Sequence, residues 1–364
     1  MNLIFIFLCM HSFFLSSHDP EANGATQVDG PYVLYNKEKV FVNYILEKDG
    51  QKFTEQDSYK LADRKNIKLT INTDIPGKTF QVTMKQKFEI EKTEFSKVNK
   101  ILALSDIESN FKAFRLLLQG NGVIDTDFNW IFGNGHLVLC GDFFDRGSQL
   151  NEVLWFIYYL EDKAKAAGGY VHFILGNHEI MNLTGDLRYV HPKYTAFARL
   201  MNVSYVSLFT ENTELGRWLR TKNVIEKVND ILFMHGGVSR SVNELGLSLN
   251  KLNNLVRPYY GDTTYNYQDP VIDLLYGDRG PFWYRGYYQS PLATVGQIDS
   301  TLDYYKANHV VTGHTIIAEV VTMHYGGRVF DTDVPHAREK SEALLIEDNK
   351  FYRVNNKGEK ILLK

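Results

Sequence analysis

The sequence has few cysteines, almost no excess of charge of either sign, and no long hydrophobic run beyond its first residues. Two cysteines among 364 residues exclude a network of disulfides within the chain. A formal net charge of −3 provides no basic surface of the kind that nucleic-acid-binding proteins carry. What is present is 44% hydrophobic and 13% aromatic residues, which is typical of a globular protein with a large core. The length suits two domains.

The N-terminus contains the longest apolar run. Residues Met1–Phe14 are mostly apolar but too few to span a bilayer as a stable anchor, and Leu15-Ser16-Ser17 follows them. This pattern resembles a secretory signal peptide over residues 1–17, although no Lys or Arg precedes the run. The alternative is a buried strand or helix. We therefore expect an exported protein, periplasmic or secreted after cleavage, in which Cys140 remains as a buried thiol.

Residues 18–96 predict a small antiparallel β domain. Apolar and polar residues alternate there with a period of two, and turn signals such as Asp49-Gly50 and Pro76-Gly77 separate the runs. The predicted strands are Tyr32–Tyr35, Lys39–Ile45, Ile67–Ile71 and Phe80–Met84. None of these segments has a catalytic pattern.

Residues 97–364 predict an α/β domain, because short apolar strands alternate there with helical stretches. Apolar residues at helical spacing predict one helix over Ser148–Ala167, which Gly168-Gly169 ends. A second helix is predicted over Thr213–Val228. The sequence contains no internal repeat and no low-complexity tract.

Five of the predicted strands are each followed by a residue that can bind metal. The pairs of strand and residue are Ile101–Leu104 with Asp106, Leu137–Cys140 with Asp142, Val171–Leu175 with Asn177, Ile231–Met234 with His235, and Val310–Thr312 with His314. Since the carboxyl ends of strands in an α/β sheet lie along one edge, these side chains are expected to converge. Two divalent ions held there can clamp a phosphoryl group and activate a water. The alternative, solvated loop residues that cap helices, does not account for five such residues in succession.

Two blocks in this domain match known signatures. Gly141–Gly147 (GDFFDRG) and Gly176–Glu179 (GNHE) resemble the phosphoprotein phosphatase (PPP) branch of the calcineurin-like metallophosphoesterases. Four further blocks resemble the bacterial-type branch called Shewanella-like protein phosphatases, namely Met181–Val190, Leu215–Arg220, Phe233–Gly237 and Gly280–Arg285. The likeness runs from Lys100 to Asp333 and leaves out the N-terminal β unit. It implies an α/β fold in which helices flank a central β-sandwich.

The resemblance also implies which residues carry the reaction. The implied metal ligands are Asp106, Glu108, Asp142, Asn177, His235 and His314. Asp142 would bridge two divalent ions, with Asp106 on the first ion and the last three residues on the second. His178 would protonate the leaving oxygen, oriented by Asp145, since a neighbouring carboxylate keeps an imidazole charged and aimed.

Three arginines are assigned to the phosphate group of the substrate by the same resemblance, and they are Arg146, Arg285 and Arg188. A guanidinium group can fork onto two phosphate oxygens. For Arg188, a structural salt bridge with Asp186 is an equally good interpretation.

One position departs from the family pattern. The first motif of the family reads GDxHG with the histidine as a ligand, whereas this chain reads Ser105-Asp-Ile-Glu-Ser109. If Glu108 binds the first ion, its extra negative charge favours manganese, with iron or zinc as alternatives. If Glu108 turns away, the first ion is weakly held.

The predicted activity is hydrolysis of phosphate monoesters by attack of a metal-bound hydroxide, without a phosphoenzyme. The expected partner is a phosphorylated protein (Tyr or Ser/Thr) or a phosphorylated small molecule, with no nucleic acid and no stable membrane span; the oligomeric state stays open. Two alternatives remain: a nucleotidase or dinucleotide polyphosphatase, and a non-catalytic protein that binds phosphorylated ligands. Packing or surface roles are expected for the other histidines, including His136, His172, His191, His309, His324 and His336.

Overall fold

The computed structural model describes residues 24–338 and 340–364, and the predicted signal peptide lies outside them. The strands are β1 Thr26–Tyr35, β2 Lys39–Lys48, β3 Gln51–Lys60, β4 Lys68–Asn72, β5 Thr79–Thr83, β6 Glu94–Phe95, β7 Lys100–Leu104, β8 His136–Cys140, β9 Tyr170–Ile174, β10 Ile225–Val228, β11 Ile231–Met234, β12 His309–Thr312, β13 Thr322–His324, β14 Val329–Asp331, β15 Glu342–Glu347, β16 Lys350–Asn355 and β17 Lys360–Leu362. The helices are α1 Phe111–Gly120, α2 Leu150–Ala166, α3 Asn177–Thr184, α4 Pro192–Leu200, α5 Glu214–Leu219, α6 Arg240–Glu244, α7 Leu249–Val256, α8 Pro270–Tyr276 and α9 Val295–Tyr305. Within these described ranges, no helix has the length and apolar character needed to cross a membrane.

The N-terminal unit consists of an antiparallel sheet in the order β1-β2-β3 and an antiparallel hairpin of β4 and β5. Four of these strands coincide with the runs that period-two alternation predicts. The strand β3 was not predicted, because its sequence QKFTEQDSYK is polar and its side chains are mostly exposed. Its backbone pairs with β2 over the full length of the strand.

Two mixed sheets of six strands form the rest of the fold. One has the order β13-β14-β12-β11-β10-β6 and the other β17-β16-β15-β7-β8-β9. Apolar side chains from both sheets meet in a buried core, which includes Ala103, Val138, Ile174, Phe233 and Val311. The helix α2 packs against α1 and β9, outside this core. The predicted α/β architecture, a sandwich flanked by helices with a small antiparallel unit before it, is therefore confirmed.

The helix predicted over Thr213–Val228 is wrong in its second half. Helix α5 ends at Leu219, and β10 follows. The apolar residues of β10 pair antiparallel with β11 and parallel with β6, so sheet formation overrides the helical spacing. The helix predicted over Ser148–Ala167 is confirmed as α2.

The N-terminal unit packs closely on the two-sheet part. The indole Nε1 of Trp155 on α2 donates a hydrogen bond to the carbonyl oxygen of Pro31 at 2.9 Å. The guanidinium group of Arg64 binds both carboxylate oxygens of buried Glu214 at 2.9 Å. Beyond this unit, β6 is the edge strand of the sheet that contains β10 and pairs with that strand. The boundary predicted near residue 96 stays a prediction.

Candidate active site

Side chains from five strand ends meet at one edge of the two sheets. Strands β7, β8 and β9 are parallel in one sheet, and β11 and β12 are parallel in the other. The structure brings together the residues that follow them, which are Asp106, Asp142, Asn177, His235 and His314. All five are buried. Because these residues follow strands of both sheets, the site is built from both sheets.

The backbone around these side chains is strained. Five site residues have φ between 54° and 72°, and they are Asp106, Asp142, Asp145, Arg146 and His314. Such left-handed conformations cost non-glycine residues about 1 kcal/mol or more each and cluster at functional sites. Close approach adds a second constraint, because a Cβ at Gly176 would lie 2.3 Å from Asp142 Oδ1. The backbone of these loops thus adopts unfavourable conformations that bring the polar side chains together.

Four atoms with lone pairs converge on one point of the site. His235 Nε2 lies 3.0 Å from Asp142 Oδ2, 3.0 Å from Asn177 Oδ1 and 3.1 Å from His314 Nδ1. The ligand atoms of Asp142, His235 and His314 lie within 4.8 Å of one another. Imidazole, carboxylate and amide oxygen are ordinary ligands of divalent ions.

The hydrogen bonds behind the two imidazoles fix which nitrogen faces this point. Nδ1 of His235 donates to the carbonyl oxygen of Cys140 at 2.7 Å. Nε2 of His314 donates to the carbonyl oxygen of Trp283 at 3.1 Å. Each ring therefore directs its other nitrogen inward, as ligating histidines with a backbone partner do.

The electrostatics of the site call for a cation. Burial disfavours a charged imidazole, yet the carboxylates of Asp142 and Asp106 raise the pKa of His235 to about 9. Burial and the neighbouring His235 lower the pKa of His314 well below its ordinary value. Positive charge is therefore favoured at this point, and the carboxylate, amide and imidazole donors fit a divalent metal ion.

The half of the site assigned to the first ion is more open. Asp106 Oδ2 accepts a hydrogen bond from the backbone N–H of His314 at 3.0 Å, and burial raises the pKa of Asp106 to about 6. Asp106 lines a pocket of about 440 Å³. Its lining residues are Asp106, Glu108, Asp142, Arg146, His178, Arg285, Gln289, His314, Ile316 and Asp333. Glu108 forms an ion pair with Arg146.

His178 and Asp145 form a tight pair beside Asp142. His178 Nδ1 lies 2.6 Å from Asp145 Oδ2, and His178 Nε2 lies 3.7 Å from Asp142 Oδ2. The amide of Asn182 donates to Asp145 Oδ1 at 2.8 Å, and the hydroxyl of Tyr205 donates to Asn182 Oδ1 at 2.6 Å. Although burial opposes it, Asp142 and Asp145 raise the pKa of His178. The ring is therefore aimed by Asp145, and its charged form is favoured. Sequence reasoning gave no role to the two supporting residues, although Asn182 lies within the block Met181–Val190.

A buried carboxylate holds two of the metal-binding loops together. Glu179 accepts hydrogen bonds from the backbone N–H groups of Asp142 at 2.9 Å, Phe143 at 2.7 Å, Phe144 at 3.3 Å and Gly176 at 2.7 Å. The GNHE signature contains this residue, but sequence reasoning gave it no role. Its position indicates a structural role behind the ligands.

The two further arginines differ in their placement. Arg285 lines the pocket, and its guanidinium group donates to the carbonyl oxygen of His314 and to Thr315 Oγ1. Arg188 is largely exposed, binds Asp186 at 2.7 Å and is not among the residues that line the pocket. The salt bridge between Arg188 and Asp186 is therefore present in the structure, and a phosphate contact from Arg188 stays a prediction.

Two other histidines form a buried chain away from the site. His136 Nδ1 lies 2.8 Å from His172 Nε2, and His172 Nδ1 lies 2.6 Å from Glu226 Oε2. Burial lowers the pKa of His172 to about 3 and that of His136 to about 4. These contacts agree with the packing role expected for both.

Comparison with known proteins identifies the family. The family model for calcineurin-like phosphoesterases matches residues 99–318. The chain belongs to the calcineurin-like phosphoesterase family. The predictions of the family and of a metal-dependent phosphoester hydrolase are thereby confirmed, and the buried ligand set described above agrees with divalent metal.

Individual relatives support the same assignment. Shewanella-like protein phosphatase 1 of Plasmodium berghei (strain Anka) is 32% identical over 226 residues, which are 59% of this chain and 61% of that protein. Shewanella-like protein phosphatase 2 of Arabidopsis thaliana is 37% identical over 105 residues, 29% of this chain and 27% of that protein. The chain thus spans about three fifths or less of the length of these two relatives.

A solved structure extends the likeness over most of the chain. The cold-active protein-tyrosine phosphatase of a psychrophile Shewanella sp. is 37% identical, with a TM-score of 0.83. The match covers 92% of this chain and 99% of that protein, so it includes the N-terminal β unit that the family model leaves out. The predicted resemblance to Shewanella-like protein phosphatases is confirmed.

Proposed function

We propose that this protein is a phosphatase that hydrolyses phosphate monoesters at a site for two divalent ions. The observation that carries the proposal is the convergence of Asp142, Asn177, His235 and His314 next to the His178–Asp145 pair. Divalent ions bound there would polarise the phosphoryl group and lower the pKa of a water. Without the general acid His178 beside them, the same metal ligands would suit binding of a phosphorylated ligand but not its hydrolysis.

The protein side chains divide the remaining work. His178, whose charged form is favoured and which the carboxylate of Asp145 orients, donates a proton from Nε2 to the leaving oxygen. Arg285 at the pocket wall, and Arg146 once it is released from Glu108, bind the phosphate oxygens. The left-handed backbone at Asp142 and Asp145 persists only because the surrounding structure fixes it, so both carboxylates are in position before substrate arrives.

The proposed substrate is a phosphorylated protein, with phosphotyrosine as the first candidate. The likeness to a cold-active protein-tyrosine phosphatase over nearly the whole chain supports this choice. A panel of phosphotyrosine peptide, phosphoserine peptide, nucleotides and an aryl phosphate, assayed with manganese, tests it. Preference for a nucleotide would favour the nucleotidase alternative, and no turnover of any member would favour a non-catalytic binding protein.

The matched experiment for the site itself is Asp142→Asn. Because this carboxylate contacts the second-ion ligands and faces Asp106, the variant is expected to lose most bound metal and nearly all hydrolysis. Arg240→Gln on the exposed surface is the control and is expected to keep both. Full metal content and activity in Asp142→Asn would contradict the assignment.

We also propose that the protein is exported. The apolar run Met1–Phe14 and the small residues after it support this. N-terminal sequencing of the protein from a secreted or periplasmic fraction is expected to start near residue 18. A cytoplasmic protein that retains Met1 would contradict export.

A further inference from the structure

The segment that follows β14 crosses the edge where the metal-binding loops lie. Strand β14 runs parallel to β12, the strand that leads to His314. The next residue, Thr332, is fixed from two sides. Its hydroxyl donates a hydrogen bond to the carbonyl oxygen of Thr312 at 2.8 Å, and the same oxygen lies 3.0 Å from Ser105 Oγ. This anchoring places Asp333 beside the loop that carries Asp106.

Asp333 is a buried carboxylate that faces the active-site pocket. Only 5% of its surface is exposed, yet it is among the residues that line the pocket with Asp106 and Asp142. Within residues 24–338 and 340–364, its carboxylate has no hydrogen-bond donor and no ion pair. An isolated buried carboxylate of this kind is costly unless a cation binds it.

The neighbouring cations are engaged elsewhere. The guanidinium group of Arg285 donates to the carbonyl oxygen of His314 and to Thr315. Arg146 is paired with Glu108. Glu108, which stands where the family pattern has its histidine ligand of the first ion, is therefore paired with Arg146. Asp333 lines the same pocket and, among the residues that the structure describes, has no such partner.

We propose that Asp333 is a ligand of the first divalent ion, together with Asp106 and Asp142. This inference rests on the proposed two-ion function. The first ion then has a ligand set of carboxylate oxygens, while the second has the imidazoles of His235 and His314. Because oxygen ligands suit hard ions and imidazoles suit zinc or iron, the two positions differ in ion preference, with manganese or magnesium in the first.

The test compares Asp333→Asn with Asp331→Asn. Both replace a buried acid by its amide of the same shape, two residues apart, and Asp331 does not line the pocket. After identical reconstitution with manganese, the parent and Asp331→Asn are expected to bind two ions per chain. Asp333→Asn is expected to retain one, with affinity for the other weakened at least about tenfold, the scale of losing an ordering partner of a metal site. Two ions of unchanged affinity in Asp333→Asn would overturn the proposal.

A second variant reports ligation directly. Asp333→Cys places a thiolate where the carboxylate lies, and soft thiolates bind cobalt or zinc readily. Reconstitution with cobalt is expected to produce a thiolate-to-cobalt absorption band that the parent, with buried Cys140, lacks. A folded variant that binds cobalt without this band would also overturn the proposal. Failure of the proposed function is distinguishable, because it would appear as a parent that does not hydrolyse an aryl phosphate, whatever the ion counts of the variants.

Discussion

Glu108 and Arg146 bind each other at the mouth of the active-site pocket. The family resemblance gives the two residues different tasks, one on a metal ion and the other on the phosphate. In the structure the guanidinium group of Arg146 also lies 5.4 Å from the centre of the Tyr189 ring. The pair therefore engages the guanidinium group of Arg146 and favours the alternative in which Glu108 turns away from the first ion.

Glu108→Gln is expected to release Arg146 while keeping the shape of the side chain. Partly exposed ion pairs contribute up to about 1 kcal/mol, so inorganic phosphate should inhibit the variant roughly two- to fivefold more strongly. The number of manganese ions per chain, measured beside the parent, is expected to stay at two. A fall towards one ion would show that Glu108 leaves Arg146 and binds metal, as the family pattern suggests.

His178→Ala is expected to lower turnover by about 10²–10⁴-fold, the usual contribution of a positioned general acid. Bound metal should stay, because the side chain of His178 is paired with Asp145 and is not among the converging ligand atoms. The defect should shrink for an aryl phosphate with a good leaving group, which needs little protonation. Loss of metal together with activity would identify His178 as a ligand instead.

Glu179→Gln tests the carboxylate behind the loops. An amide nitrogen cannot accept the hydrogen bonds that Glu179 receives from Asp142 and Gly176, and a buried donor without a partner costs about 1–3 kcal/mol. Urea unfolding of the metal-free protein should show a loss of that size, with reduced metal affinity. The exposed Glu244→Gln is the control, expected within about 0.5 kcal/mol of the parent. Equal stability of both variants would rule out the structural role.

Because His336 is buried, we expect the free energy of unfolding to decrease in acid. Burial lowers its pKa to about 4, and its Nε2 donates to the carbonyl oxygen of Ser105 at 3.1 Å. Between pH 6.5 and 4 the unfolded chain binds a proton at this residue and the folded chain does not, so stability falls as pH falls. The full effect is about 3 kcal/mol. The difference in unfolding free energy between the parent and His336→Gln should shrink across this range, and a constant difference would contradict the argument.

The parts of the fold that depend on local pattern could be predicted from the sequence. The strands before Asp106, Asp142 and His235 are short apolar runs, and each is present at or near the predicted bounds. Period-two alternation likewise located most of the N-terminal strands. Because strand ends share an edge in this architecture, residue type and position were enough to predict that these side chains converge.

The parts that depend on contacts between distant segments could not be predicted. The polar strand β3 is specified by pairing with β2, and β10 by its two neighbours, so neither has a clear signal of its own. Asp333 lies 227 residues from Asp106 along the chain, and nothing in its local sequence marks it as part of the pocket. The pairing of Glu108 with Arg146 is a choice of side-chain partner that only the folded backbone defines.

The contacts of the N-terminal unit with α2 and α5 determine which truncated forms of this protein keep its packing intact. A chain that started at residue 97 would match the family model in full, yet it would leave Trp155 without the Pro31 carbonyl and Glu214 without Arg64. It would also uncover the outer edge of β10, which β6 closes. An exposed strand edge invites self-association. Removal of the segment that the family model leaves out is therefore expected to promote self-association of the segment that the model matches.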